Sequence, residues 1–232
     1  VPIFLIFLPS VLSGSAPTSS GVVVGMAGNN CVALAHDCRM SSALYGGQPL
    51  IGASSRRVIR VHSTSMVGMS GLDGDILTFA SDVEAELRLK RVEAEGVGEL
   101  ASELIRPQSL AQLVSTKLYA QRTTSPYYVE PVIVGLEKNC DGNVEPFLCA
   151  QDALGAQMQT DDFVVSGTCS ASLYGVCEAF YEENMEPDVL WRRAAHCLIT
   201  AMERDCLSGV GAVVHLMTAQ GITTHFIQCS SD

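Results

Sequence analysis

Residues 21–39 read Gly-Val-Val-Val-Gly-Met-Ala-Gly-Asn-Asn-Cys-Val-Ala-Leu-Ala-His-Asp-Cys-Arg. Two short apolar runs, Val22 to Met26 and Cys31 to Ala35, flank Ala-Gly-Asn-Asn. Glycine and asparagine accept positive φ, so the spacing predicts a strand, a tight turn and a returning strand. The first run is almost continuously apolar, which predicts a strand covered on both faces rather than one half in water. Asp37 and Arg39 close the second run, opposite charges where a buried strand is expected to emerge.

The remaining pattern supplies the covering layers. Residues 40–55, with Gly46-Gly47 and Pro49, read as loop-rich, and 56–62 and 66–70 as two more strands. After the corner Gly-Leu-Asp-Gly-Asp at 71–75, a helix is predicted over about 75–93, with Ile76, Ala80, Val83 and Leu87 on one face, broken by Gly96 and Gly98. A second helix follows Pro107, capped by Gln108 or Ser109 and ended by Ser125-Pro126, and it buries Leu110, Leu113, Val114 and Leu118. Strands are expected at 131–137, 144–151 and 163–166, the first two joined by the turn Cys-Asp-Gly-Asn at 140–143. Two helices come next. One spans 168–181 with Leu173, Val176, Cys177 and Phe180 inward; the other starts at Pro187 with Leu190, Ala194, Cys197, Leu198 and Ala201 inward. Strands at 212–218 and 222–228 close the chain around Ala-Gln-Gly at 219–221. Helices that arrive in pairs between groups of strands predict an α+β fold, a four-layer αββα sandwich of two antiparallel sheets between helix layers.

Composition narrows the function. The chain has 232 residues, 47% of them hydrophobic, enough for one sizeable core and too apolar for disorder. A net charge of −11 and the lack of any Lys/Arg block argue against a nucleic-acid partner. The doublets Arg56-Arg57 and Arg192-Arg193 read as solvated or ion-paired surface. Nine cysteines include no Cys-x-x-Cys and no zinc spacing, so free buried thiols are expected, with no metal and no cofactor. The apolar opening at 1–9 is too short to span a membrane, and Ser-Gly-Ser-Ala-Pro-Thr-Ser-Ser at 13–20 reads as a tether. Residues 1–20 are therefore expected to be a retained leader, with a targeting segment as the alternative, and 21–232 a single domain.

The hairpin with its Ala-His-Asp-Cys-Arg resembles the opening of a proteasome β-subunit, a member of the N-terminal-nucleophile (Ntn) hydrolases. The resemblance runs to the last strand. It is densest at 127–136 (Tyr-Tyr-Val-Glu-Pro-Val-Ile-Val-Gly-Leu), 160–169 (Thr-Asp-Asp-Phe-Val-Val-Ser-Gly-Thr-Cys) and 204–209 (Arg-Asp-Cys-Leu-Ser-Gly). These stretches look like a non-catalytic β-subunit of the eukaryotic 20S proteasome. In active members a threonine at the start of the first strand is the nucleophile and its own amino group the base. The resemblance places that threonine at Gly21, which has no hydroxyl. It places the orienting aspartate at Asp37 and the lysine beside the nucleophile at Arg57, whose guanidinium stays charged where lysine can shuttle a proton. It also places the oxyanion-hole glycine at Gly71, a serine at Thr168, and the supporting pair at Asp205 and Ser208.

Two chemical positions are lost on an otherwise complete scaffold, which implies an inactive subunit. The competing reading is an active threonine peptidase or amidohydrolase with its nucleophile elsewhere, yet none of Thr18, Ser19 and Ser20 follows a glycine. His36 and His196 read as structural. The resemblance further implies a wall element of a protein-degrading chamber in the ubiquitin-dependent pathway, in cytoplasm and nucleus. Its implied partners are other α- and β-subunits in stacked heptameric rings, and assembly chaperones, with no nucleic acid and no membrane. It implies that the loop at 149–155 reaches a neighbour's substrate pocket, with Asp152 facing a trypsin-like site; a solvated turn is the alternative for Asp152.

Overall fold

A computed structural model describes residues 21–41, 50–52, 57–94, 106–138 and 144–228. In chain order the strands are β1 (Val22–Gly28), β2 (Cys31–Asp37), β3 (Met40–Ser41), β4 (Leu50–Gly52), β5 (Val58–His62) and β6 (Ser65–Gly71). Helices α1 (Asp73–Ala94) and α2 (Pro107–Gln121) precede β7 (Val129–Lys138), β8 (Val144–Gln151), β9 (Gln157–Thr160) and β10 (Phe163–Gly167). The chain continues through α3 (Ser170–Phe180), α4 (Pro187–Met202), β11 (Gly211–Thr218) and β12 (Gly221–Gln228). One antiparallel sheet has the order β10-β1-β2-β11-β12, the other β5-β6-β7-β8-β9.

Strand alternation distributes the core into three slabs. Val22, Val24 and Met26 of β1, with Ala33 and Ala35 of β2, meet Leu173, Cys177, Leu190, Ala194 and Leu198 of α3 and α4. Val23, Ala27, Val32 and Leu34 point the other way and meet Met66, Val132, Val134 and Leu148 of the second sheet. That sheet's far side, through Val67, Met69, Ile133 and Cys149, is covered by Ile76, Phe79 and Val83 of α1 and Leu110 and Val114 of α2. The order is helices, sheet, sheet, helices, as expected. All seven residues of β1 are buried, and its turn uses only Asn29 and Asn30, with Asn30 at φ +52.

Several local expectations are corrected. Arg106, not Gln108 or Ser109, flanks the start of α2 and provides no side-chain cap; Pro107 at the first position already lacks the N–H that a cap would satisfy. The helix ends at Gln121, ahead of Ser125-Pro126, in a turn where the Ser125 N–H donates to the Gln121 carbonyl. Phe180 is not inward. It lies at the exposed end of α3, edge-on to His196 at 5.0 Å, while Val176 is half-buried against the core. Strand β9 has no counterpart among the expected strands, because Gln-Met-Gln-Thr at a sheet edge has no buried face to set an alternation. Within the loop-rich 40–55 stretch, β3 and β4 pair through Met40–Gly52 and Ser41–Leu50. Of the arginine doublet at 56–57, Arg57 is not surface but completely buried, and Arg56 lies outside the described residues.

Seven cysteines among the described residues are free thiols, Cys206 exposed and Cys38 half-buried. The leader at 1–20, Gly96 and Gly98, and the turn at 140–143 lie outside the described residues. On β12, the outer strand of the first sheet, the Phe226 side chain is 80% exposed.

Candidate functional site

The site forms where β1 begins, β2 ends and the two sheets meet the start of α1. The Val22 N–H donates to Oδ1 of Asp37 at 3.1 Å, one step beyond the Val23–His36 ladder pair. Oδ2 of Asp37 accepts the Gly209 N–H at 3.2 Å. Both Asp37 and Arg57 have no exposed surface. Arg57 stands just before β5, its carbonyl bound by the Met69 N–H of β6 at 2.8 Å. From there its Nε reaches Oδ1 of Asp37 at 3.1 Å and its Nη2 reaches Oδ1 of Asp73 at 3.3 Å. Nη2 also donates to the Arg39 carbonyl at 2.7 Å.

Burial drives the Asp37 carboxyl up to about 6, against the opposing pull of Arg57 and the Val22 and Gly209 amides. The carboxyl remains ionised at neutral pH, and the charge pair is intact. Gly21 has φ +84, and a β-carbon built on it would lie 2.1 Å from Cζ of Arg57 and 2.5 Å from Nε. The guanidinium occupies the place a side chain at position 21 would need.

A second cluster adjoins the first. The Thr168 N–H donates to the Gly21 carbonyl at 3.1 Å, and the Thr168 hydroxyl donates to Oδ2 of Asp205. Ser208 donates its hydroxyl to the same oxygen at 2.8 Å, and the Leu207 N–H takes Oδ1 at 3.0 Å. Gly209, next in sequence, carries the link to Asp37. It is followed by Val210 at φ +69, a branched residue in the left-handed region, and by Gly211, whose carbonyl accepts the Cys38 N–H at 3.1 Å. Gly71 closes β6 opposite Val129, at φ +128, with its α-carbon so close to the Tyr128 carbonyl that a β-carbon would sit 2.2 Å away.

The structure thus gathers Gly21, Asp37, Arg57, Thr168, Asp205 and Ser208, with Gly71 two residues from both Met69 and Asp73. Sequence reasoning missed Asp73 as an Arg57 partner. Its position at a helix start gave it an ordinary reason to be acidic, and nothing in Gly-Leu-Asp-Gly-Asp marks which carboxylate turns inward.

The chemistry open to this arrangement is limited. Gly21 offers no hydroxyl, and the hydroxyls of Thr168 and Ser208 both donate to one carboxylate without an imidazole beside them. Burial pushes the Cys169 thiol, 4.0 Å from the Ser208 hydroxyl, up to about 11, so it stays protonated. His36 shares its strand face with Leu34, away from Asp37. Its Nδ1 is 2.7 Å from the Asp37 carbonyl, and burial lowers it to about 4. His196 is on the exposed side of α4 against Phe180. Among the described residues no three His, Cys, Asp or Glu side chains are grouped to hold a metal ion.

Asp152 lies apart from this site, in the loop between β8 and β9. Its Oδ1 accepts the N–H groups of Leu154 at 2.9 Å and Ala156 at 2.8 Å, and Ser115 anchors the loop by donating to the Gly155 carbonyl at 2.6 Å. The carboxylate is exposed and holds its own turn.

A family model described as proteasome subunit matches residues 18–217. Curated relatives include a "Proteasome subunit beta type-3" of Oryza sativa subsp. japonica, 38% identical over 86% of this chain and 90% of the relative. The protein of that name in Saccharomyces cerevisiae is 32% identical over 95% of this chain and 100% of the relative. The one in Drosophila melanogaster is 34% identical over 92% and 97%. Matched along most of its length by both the family model and these relatives, this chain belongs to the proteasome subunit family.

Proposed function

We propose that this chain is a non-catalytic β-subunit of the 20S proteasome core, a wall element of the proteolytic chamber that performs no cleavage itself. The relatives' shared name, beta type-3, supports the assignment of the subunit. The observation that carries its inactivity is the Arg57 guanidinium standing where the side chain of residue 21 would be. A hydrolase of this class needs a hydroxyl at that point and a base that can take its proton; glycine and a permanently charged guanidinium supply neither.

As a proteasome subunit the chain assembles with other subunits of the particle. Stacked heptameric rings, help from assembly chaperones, work in ubiquitin-dependent degradation, and a place in cytoplasm and nucleus complete the proposal. In the same reading Gly71 is the remnant oxyanion glycine, Asp205 and Ser208 the remnant supports, and Asp152 a contributor to a neighbouring subunit's pocket. Its exposure on an anchored loop favours that last role.

The test is direct. Purified particles containing this chain are treated with an irreversible electrophile that requires a free N-terminal threonine. Intact-mass analysis is expected to find other subunits modified and this chain unmodified. A mass increase on this chain would refute the proposal.

A further inference from the structure

We propose that Gly21 and Arg57 are an interdependent pair. The guanidinium can be seated only because position 21 has no β-carbon, and, once seated, it turns the remnant pocket into a buried structural node joining β2, the start of α1 and the N-terminal strand. The consequence for reviving activity rests on the reading of Gly21 as the former nucleophile position; the coupling itself does not.

The end of a long side chain ordinarily gives way to an added methyl group. Arg57 is confined against that: it is ion-paired with Asp37 at 3.1 Å from Nε and with Asp73 at 3.3 Å from Nη2, its Nη2 donates to the Arg39 carbonyl, and no part of it reaches solvent. A β-carbon 2.1 Å from Cζ must therefore displace the cation or move the backbone. Displacing the cation leaves the buried Asp37 without its countercharge, a costly state in a low-dielectric interior. Moving the backbone disturbs β1, which is buried throughout and laddered on both sides, to β2 and β10. The φ of +84 is a second barrier that glycine alone passes freely.

Position 21 is thus closed to every side chain while arginine stands at 57. The pocket has not been left vacant by loss of a hydroxyl; it has been filled and put to structural use. A single Gly21→Thr change would break the node without gaining a working nucleophile, and any revival must change both residues together.

The test uses tagged copies of the chain expressed beside the untagged one, reading the fraction of tag recovered in purified particles. Gly21→Ala is expected to enter at least tenfold less than wild type. Arg57→Ala is expected to lose incorporation too, and adding Gly21→Ala to it to cost clearly less than the tenfold seen with arginine present, because the clash is gone and only the backbone strain at position 21 remains. Where Arg57→Ala yields no folded chain, Arg57→Lys replaces it; lysine has a smaller, mobile end group, and is expected to recover Gly21→Ala at least threefold. Near-normal entry of Gly21→Ala, full additivity in the double variant, or no recovery with lysine would each overturn the proposal. Labelling by the threonine-directed electrophile reports separately on the non-catalytic reading, so either idea can fail without the other.

Discussion

Gly209 donates its backbone N–H to the Asp37 carboxylate across 172 positions of sequence. Through it the last turn before β11 is tied to the end of β2, and Val22 binds the same carboxylate from the start of β1. One buried side chain therefore fixes three strand termini and neutralises Arg57 as well.

Asp37→Asn tests that arrangement. The amide can keep one N–H acceptor but removes the charge that pairs with Arg57, leaving Asp73 as the remaining carboxylate. Breaking a buried pair from one side costs about 3 kcal/mol. Native-state hydrogen exchange of the particle is expected to show faster exchange at β1 and β2 amides, with α2 unchanged. Equal protection in the variant would mean that the carboxylate charge contributes nothing.

Acid should loosen the chain through its histidines. His36 and His215 have ring centroids 5.6 Å apart, and burial is the main reason each is lowered to about 4. Arg60 is bonded to His215 and Arg57 lies near His36, and both cations oppose protonation. Unfolded histidines take up protons below about 6.5, the folded ones only near 4, so the unfolded state gains protons first and stability is lost as pH falls through that window. Asp37 works the other way, because its raised pKa lets the folded state bind a proton from about 6 downward. Two histidines against one carboxylate leave a net loss of up to about 1.4 kcal/mol per pH unit. His215→Asn is expected to flatten the fall in thermal midpoint between pH 6 and 4.5; an unchanged slope would exclude this origin.

Asp152→Asn separates the two readings of the loop. Asparagine can still accept the Leu154 and Ala156 N–H groups, so the turn survives while the charge goes. If the carboxylate faces a substrate Lys or Arg, about 1–2 kcal/mol of charge-assisted bonding is lost, around tenfold in preference. Trypsin-like cleavage by assembled particles is expected to drop severalfold with chymotrypsin-like cleavage unchanged. Wild-type levels of both would leave Asp152 as a turn residue.

Expressed without its neighbours, the chain is expected to aggregate or to remain bound to assembly factors. Leu154, Met158 and Phe226 are more than half exposed. The edge strands β9 and β12 carry no Lys, Asp, Glu or Pro to discourage pairing. A monodisperse monomer in size-exclusion chromatography with a sharp thermal transition would contradict this.

The layers were legible because hydrophobic period is a local signal: β1 and β2 are nearly unbroken apolar runs, and Leu190, Ala194, Cys197, Leu198 and Ala201 repeat as a buried helix face does. What failed to show depended on contacts remote in sequence. Phe180 fits the inward spacing of α3 but falls at its last turn, beyond the sheet that would cover it. Arg57 sits in a doublet that looks like surface, and only its backbone bond to β6 and the carboxylates of Asp37 and Asp73 turn it inward. Of the positions named from family resemblance, Gly21, Asp37, Arg57, Thr168, Asp205 and Ser208 converge in space while Asp152 stands apart, yet no residue pattern revealed that one of them fills the room left by another.

Val210 gives the buried Asp37–Arg57 site a mechanical consequence. A branched residue resists left-handed backbone by roughly 1–2 kcal/mol, and here it is gripped between the amide that binds Asp37 and the carbonyl that binds Cys38. The tension bears directly on the two bonds that close the end of β2. Residues 209–211 therefore set a strained backbone directly on the bonds that hold the end of β2 and, through the shared Asp37 carboxylate, beside the one that holds the start of β1.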